Sequence, residues 1–111
     1  MNRFLVFDKA LEVIGEMRTL DEAVAKRDRD LASQLRRAGS SIPLNLAEGA
    51  RRVGADRLHH YRIAAGSAAE VRAALAVANA WGYLRREDTA RVMAQLDEIL
   101  AMLWAITHRA A

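Results

Sequence analysis

The sequence predicts an all-α fold, an antiparallel up-and-down four-helix bundle. Three observations carry that prediction. Alanine supplies about a fifth of the 111 residues, and Leu, Arg and Glu are common; all are strong helix formers. Apolar residues recur at spacings of three and four, while Val and Ile never run in the alternating blocks that strands require. With one Pro and six Gly, the chain has few places to break. The length is that of a single domain spanning residues 1–111.

The first helix is expected over about 4–22. Phe7, Ala10, Leu11, Ile14 and Met17 form its stripe, broadened by Phe4, Val6 and Val13, with Asp8, Lys9, Glu12 and Glu16 largely opposite. No Gly or Pro marks its end, so the break is placed in the charged stretch Ala23–Arg27. Asp28 or Asp30 then caps the second helix by accepting free backbone N–H groups. That helix, about 28–49, carries Leu31, Leu35, Ala38, Ile42 and Leu46. Pro43 lies inside it; the apolar period survives across the proline, so a kinked but continuous helix is expected. Gly49 reads as its left-handed stop.

A short loop with Gly54 follows, and Asp56 is expected to cap a third helix over 56–81. Its stripe is Leu58, Tyr61, Ala65, Ala68, Val71, Leu75 and Ala78. The run Ala64-Ala65-Gly66-Ser67-Ala68-Ala69 suits a helix buried on several sides. Gly82 ends this helix. Asp88 is expected to cap the fourth, over 88–108, with Val92, Leu96, Ile99, Leu103 and Ile106 inward. Short loops between long helices favour antiparallel neighbours.

Composition narrows the function. No cysteine is present, which excludes a disulfide framework and a thiolate metal site and fits a reducing compartment. The N-terminus opens into an amphipathic pattern and lacks signal-peptide features. The longest charge-poor stretch, Ile63 to Trp81, is broken by Glu70 and Arg72, so no membrane span is expected. A cytoplasmic protein is expected. The net charge of +3 is unevenly placed: residues 34–62 carry Arg36, Arg37, Arg51, Arg52, Arg57 and Arg62 against only Glu48 and Asp56. Such clustering marks either a surface for phosphates or solvated helix flanks.

No catalytic constellation is legible, and neither a metal nor another cofactor is expected. Adjacent helical histidines, His59 and His60, diverge by about a third of a turn and chelate poorly. Gly49–Gly54 lacks the strand and the Gly-Lys-Ser/Thr ending of a phosphate loop. Ser40, Ser41 and Ser67 have no evident base. Asn45, Glu48 and Glu70 lie near apolar faces, and a structural polar network with Arg36 or Arg37 is expected to satisfy them. Trp81 and Trp104 read as core or interface anchors.

Four segments occur in order: Gln34-Leu-Arg-Arg-Ala38, Ser41-Ile-Pro-Leu-Asn-Leu-Ala-Glu-Gly49, Ile63-Ala-Ala-Gly-Ser67 with Glu70, and Gly82-Tyr-Leu84. Together they resemble the bacterial four-helix-bundle family of 23S rRNA-intervening-sequence proteins, over about Phe4 to Leu100. The accessory variability protein of diversity-generating retroelements is similar to that family. The resemblance implies an antiparallel four-helix bundle, a homopentameric ring and no known catalytic activity. Retroelement relatives bind a reverse transcriptase and nucleic acid through a basic surface. The chain departs from the pattern in three places: it lacks a Pro between the first two helices, Ala65 stands where a basic residue is frequent, and Ala74 where a polar one is. The function expected is therefore a non-enzymatic oligomeric binding module. Its expected nucleic-acid contacts are Arg51, Arg52, Arg57 and Arg62, or it contacts a nucleic-acid-bound protein. The alternative is a protein-only scaffold.

Overall fold

A computed structural model describes residues 3–109, with side chains from Leu5 onward. It contains helices α1 (Arg3–Ala25), α2 (Arg29–Ala50), α3 (Gly54–Trp81) and α4 (Arg86–Thr107), and no strand among the described residues. Cross-helix pairs fix the topology. Lys9 meets Glu98 and Glu16 meets Arg91 between α1 and α4. Asp21 meets Arg36 between α1 and α2, and Asn45 meets His60 while Ser41 meets Ser67 between α2 and α3. Arg72 meets Asp97 and Asn79 meets Thr89 between α3 and α4. Numbers fall along one helix as they rise along its neighbour, so each adjacent pair is antiparallel. The bundle measures 45 × 21 × 19 Å.

The core follows a 3–4 alternation on every helix. It runs Val6, Ala10, Val13, Met17, Leu20, Val24 on α1 and Leu31, Leu35, Ala38, Ile42, Leu46 on α2. It continues with Tyr61, Ala64, Ala68, Val71, Leu75, Ala78 on α3 and Val92, Leu96, Ile99, Leu103, Ile106 on α4. Such spacing sets i±3 ridges into i±4 grooves at the shallow crossing angles of bundles. The α2 and α4 stripes are as the sequence predicts. The α1 stripe is rotated: Leu11 is exposed and Phe7 and Ile14 are half-buried, whereas Val6 and Val13 are fully buried. Helix α1 runs on to Ala25, and its last turns bury Leu20 and Val24, which select the row through Val6 and Val13. The side chain of Phe4 lies outside the described residues.

The helix ends also differ from expectation in instructive ways. Asp28 caps α2, its Oδ1 accepting from Leu31 N at 3.0 Å. Helix α2 passes through the buried Pro43 without interruption. Gly49 is not a left-handed stop; among the described glycines only Gly54 and Gly82 have positive φ. Helix α2 continues to Ala50, where Arg57 takes over the capping: its Nε donates to Gly49 O at 3.2 Å and its Nη2 to Ala50 O at 3.4 Å. A cation there also complements the negative end of the helix dipole. Helix α3 starts two residues earlier than expected, with Val53 at the N-cap and Asp56 inside the first turn. Likewise Arg85 occupies the N-cap of α4. Asp88 sits three residues on and reaches back to the Arg85 backbone N–H at 3.2 Å, closing a capping box. Gly82 does end α3, with φ 78° and with Tyr83 N donating to Ala78 O in a Schellman-type turn.

Gly49 has a different purpose. A Cβ built on it would lie 2.6 Å from Tyr61 Cε1 and 3.2 Å from the His60 Cβ. The absent side chain lets the Tyr61 ring lie directly on the α2 backbone. The Tyr61 hydroxyl is buried and has no hydrogen-bond partner among the described residues. Gly66, by contrast, faces open space. Three variants test this packing by chemical denaturation. Gly49→Ala is expected to destabilise by about 1–3 kcal/mol through overpacking. Tyr61→Phe, which removes an unsatisfied buried hydroxyl while keeping the ring, is expected to raise stability by about 1 kcal/mol. Tyr61→Ala is expected to cost about 3–5 kcal/mol. A neutral Gly49→Ala would show that α2 and α3 are not held at this approach.

Candidate functional site

The polar network expected from the sequence does not form. Arg36 pairs with Asp21 of α1 at 3.2 Å, and Arg37 is exposed with no ion pair among the described residues. Glu48 is half-buried and pairs one turn along with Arg52, at 2.7 Å. Glu70 is exposed on α3 and joins neither. For Glu48 the physical reason lies in helix geometry. Arg37 and Glu48 stand far apart on one helix, roughly 17 Å along its axis, beyond the reach of a guanidinium. Asn45 is the member that does enter a half-buried seam, with different partners.

That seam runs between α2 and α3. Asn45 Nδ2 donates to Ser41 O and to Ser41 Oγ, both at 2.9 Å. Ser67 Oγ donates to Ser41 Oγ at 2.7 Å. His60 Nδ1 lies 3.2 Å from Asn45 Oδ1. Because the amide nitrogen of Asn45 faces Ser41, its oxygen is the acceptor toward His60, and His60 Nδ1 carries the proton. The chain therefore resembles a serine–histidine relay only superficially. An amide stands between the imidazole and Ser41, and an amide does not take up a proton. His60 has no path by which to activate either serine, and the arrangement works as a register lock between two helices. Sequence reasoning does not find Ser41, Ser67 and His60 as its members. The signal available is the pairing of a Ser-x-x-x-Asn turn with a second small polar residue on a neighbouring apolar stripe.

The two histidines behave as adjacent helical residues do. Their rings sit 5.6 Å apart, edge to face. Among the described residues no group of three or more His, Asp or Glu is placed to hold a metal ion. No helix among them is long and apolar enough to cross a membrane.

The four arginines expected at a nucleic-acid surface divide into two kinds. Arg52 lies between two carboxylates, 2.7 Å from Glu48 and 2.8 Å from Asp56. Arg57 caps α2. Arg51 and Arg62 are exposed and, like Arg37, make no ion pair among the described residues. All of Arg51, Arg52 and Arg57 sit at the end of the bundle where α2 turns into α3, and Arg62 lies two turns up α3. The tryptophans are not core: Trp81 is 68% and Trp104 is 63% exposed. Trp104 stacks on His108 at 4.4 Å, and Trp81 lies beside Tyr83 at 6.4 Å with the rings 18° from parallel.

The family profile described as 23S rRNA-intervening sequence protein matches residues 2–105. The chain belongs to that family. A crystal structure of a protein of unknown function from the S23 ribosomal protein family of Bacteroides thetaiotaomicron is similar to it, at 25% identity and TM-score 0.86. The similarity covers 94% of this chain and 99% of that one. No curated protein matches the sequence. Within this intervening-sequence protein, the segments Ser41–Gly49 and Ile63–Ser67 face each other across the α2–α3 seam. There Ser41, Asn45, His60 and Ser67 form their chain and Gly49 receives Tyr61.

The ion pairs set the response to acid. A hydrogen bond from Arg52 holds the Glu48 carboxyl below its usual value; Arg85 does so for Asp88 and Arg72 for Asp97. A depressed folded-state pKa means that the folded chain binds fewer protons than the unfolded one. The stabilisation is complete above the ordinary carboxylate range and is lost as pH falls through the lowered values. Melting temperature is therefore expected to hold steady near neutrality and drop below about pH 4, with added salt flattening the drop. Glu48→Ala is expected to shift the midpoint at pH 7 by no more than a few degrees, because a half-exposed pair is screened by solvent. A large loss would place that carboxylate in a closed network.

Proposed function

We propose that this chain is a non-enzymatic, cytoplasmic assembly module. It self-associates and holds nucleic acid, or a protein bound to nucleic acid, through arginines at the α2–α3 end. The observation that carries the assembly is an apolar strip left in solvent. Ile63, Gly66, Ala73 and Val77 line the outward face of α3, and Leu44 on α2 is 67% exposed. The single chain buries α3 on one side only, so the small residues of its outer side serve nothing within the subunit. Contiguous apolar surface of this kind on a soluble chain marks an interaction site. Glu70 sits within the strip and has no ion pair among the described residues, which suits an arginine of a neighbouring copy. A head-to-tail contact closes into a ring when the rotation permits. Five subunits is the number that the family resemblance implies. A chain without cysteine suits a reducing compartment.

Arg51 and Arg62 are the phosphate contacts that this reading favours, since Arg52 and Arg57 are engaged within the subunit. That same engagement favours the second reading, a protein-only scaffold, over a broad basic surface. In a ring, weak basic patches repeat and act together on one polyanion.

Light scattering coupled to gel filtration tests the assembly. A mass near five subunits is expected, and Ile63→Glu with Val77→Glu is expected to yield monomers of unchanged helicity. A wild-type monomer at micromolar concentration defeats the proposal. Nucleic-acid binding is expected to weaken steeply with salt. Replacing Arg51 and Arg62 by Ala is expected to lower the slope by about one for each phosphate no longer neutralised. No binding at low ionic strength leaves the protein-only scaffold.

A further inference from the structure

Apolar side chains also reach solvent on the side of the subunit that α1 and α2 share. Leu11 is 47% exposed there, and Phe7, Ile14 and Ala25 are half-buried. This side is concave. A cavity of about 540 Å³ lies between the two helices, lined by Ile14, Met17, Arg18, Ala25 and Gly39 among others. A second, of about 340 Å³, continues the groove toward the α2–α3 turn, between Phe7, Ala47 and Ala50. The other charges in the groove are Arg36, paired with Asp21, and the exposed Glu22, one turn beyond Arg18.

The groove and the apolar strip of α3 carry matching rows. Leu11, Arg18 and Ala25 stand seven residues apart on α1, and Ile63, Glu70 and Val77 stand seven apart on α3. Residues so spaced lie nearly in line, roughly 10.5 Å apart along the axis. Each row therefore reads apolar, charged, apolar, and the central charges are opposite. Arg18 and Glu70 are both exposed, and neither makes an ion pair among the described residues. The register matters, because a shift of one turn would set Glu70 against Glu22 instead of Arg18.

The direction of the helices fits as well. Helices α1 and α3 run in the same sense, since both are antiparallel to α2. Phe7 and Tyr61 line one cavity, which places Leu11 and Ile63 within about one turn of each other along the bundle. Rotation about the long axis preserves sense and height, so it brings α3 of one copy beside α1 of the next with the two rows in step. The strip looks out from α3 and the groove from between α1 and α2, as a head-to-tail contact requires. The rival arrangement pairs the strip with itself. A two-fold axis through its middle sets two Glu70 carboxylates together, a costly like-charge contact, and leaves the groove uncovered.

We propose that the α3 strip of one copy seats in the α1–α2 groove of the next, with Ile63 on Leu11, Glu70 paired with Arg18, and Val77 against Ala25. This inference rests on the self-association proposed above and names the surface that receives the strip.

Two variants separate the two surfaces. Leu11→Glu with Arg18→Glu blocks the groove, and Ile63→Glu with Val77→Glu blocks the strip. All four positions are exposed, so wild-type helicity is expected of both. Each alone is expected to run as a monomer in gel filtration with light scattering. Mixed in equal amounts, they share one intact groove and one intact strip, so a mass of two subunits and nothing larger is expected. Strip-to-strip pairing gives the opposite pattern: the groove variant keeps the wild-type mass and mixing adds no new species. A charge exchange tests the register. Arg18→Glu and Glu70→Arg are each expected to weaken assembly, and both in one chain to restore the wild-type mass. A wild-type oligomer that survives Leu11→Glu with Arg18→Glu overturns the groove and leaves self-association standing. Monomeric variants that stay monomeric on mixing overturn it too. A wild-type monomer ends the self-association reading itself, and the groove with it.

Discussion

Tyr61 lies across the backbone of Gly49, and much of the structure depends on that approach. Only three residues, Arg51 to Val53, connect α2 to α3. A connection so short leaves the two helices little freedom in register, and the ring on the glycine removes what remains. Farther from the turn, the same register brings His60 to Asn45 and Ser67 to Ser41. Nearer the turn, it brings Arg57 within reach of the last α2 carbonyls. A Cβ at position 49 would lie 2.6 Å from the Tyr61 ring, closer than van der Waals contact permits, so the helices would have to move apart. The seam's hydrogen bonds, each worth about 1 kcal/mol, would then lengthen together. Register is thus set by packing and confirmed by polar contacts, in that order of strength.

The helices legible in the sequence are those where one stripe outweighs its rivals. Leu31 to Leu46 and Val92 to Ile106 admit a single inward face, and the structure buries that face. Helix α1 offers two faces of similar hydrophobicity. Phe7, Leu11 and Ile14 compete with Val6, Val13 and Leu20, and only the last two turns, ending at Val24, decide between them. A break placed in Ala23–Arg27 leaves Val24 outside the helix and removes part of the deciding evidence. Helix starts are displaced for a related reason. An acidic residue is favourable anywhere in the first turn, where free N–H groups and the dipole meet it. Asp56 and Asp88 therefore mark their helices truly without marking the cap.

Side-chain partnerships are less legible. Glu48 and Arg52 sit four apart, a pairing visible from spacing alone. A partner for Glu48 several turns back along α2 is one that helix geometry forbids. The seam residues are hidden differently. Ser41 and Ser67 look inert singly, and their meeting depends on a register that Gly49 and Tyr61 determine. Residues whose role is relational have no local signature. The exposure of Trp104 is readable, because it stands one residue past Leu103 and off the inward α4 stripe; that of Trp81, in the last turn of α3, is not.

The outer side of α3 shows what a bundle gains by keeping alanine and glycine where solvent would tolerate longer polar groups. Gly66, Ala69, Ala73, Ala76 and Ala80 lose almost no side-chain entropy when covered, whereas lysine or glutamate would lose up to about 2 kcal/mol each. A face of this composition forms contacts whose favourable term is modest but whose opposing term is close to zero. It also lets a neighbouring backbone come near, and dispersion contacts between backbones then add to the burial. The larger groups, Ile63 and Val77, stand at separated points along that face. The inward side of the same helix uses the same device, with Ala64, Ala68, Ala74 and Ala78 allowing Leu75 and Val71 to interlock with the opposing helices. A helix small on both sides separates two layers closely, and α3 has the composition of such a partition.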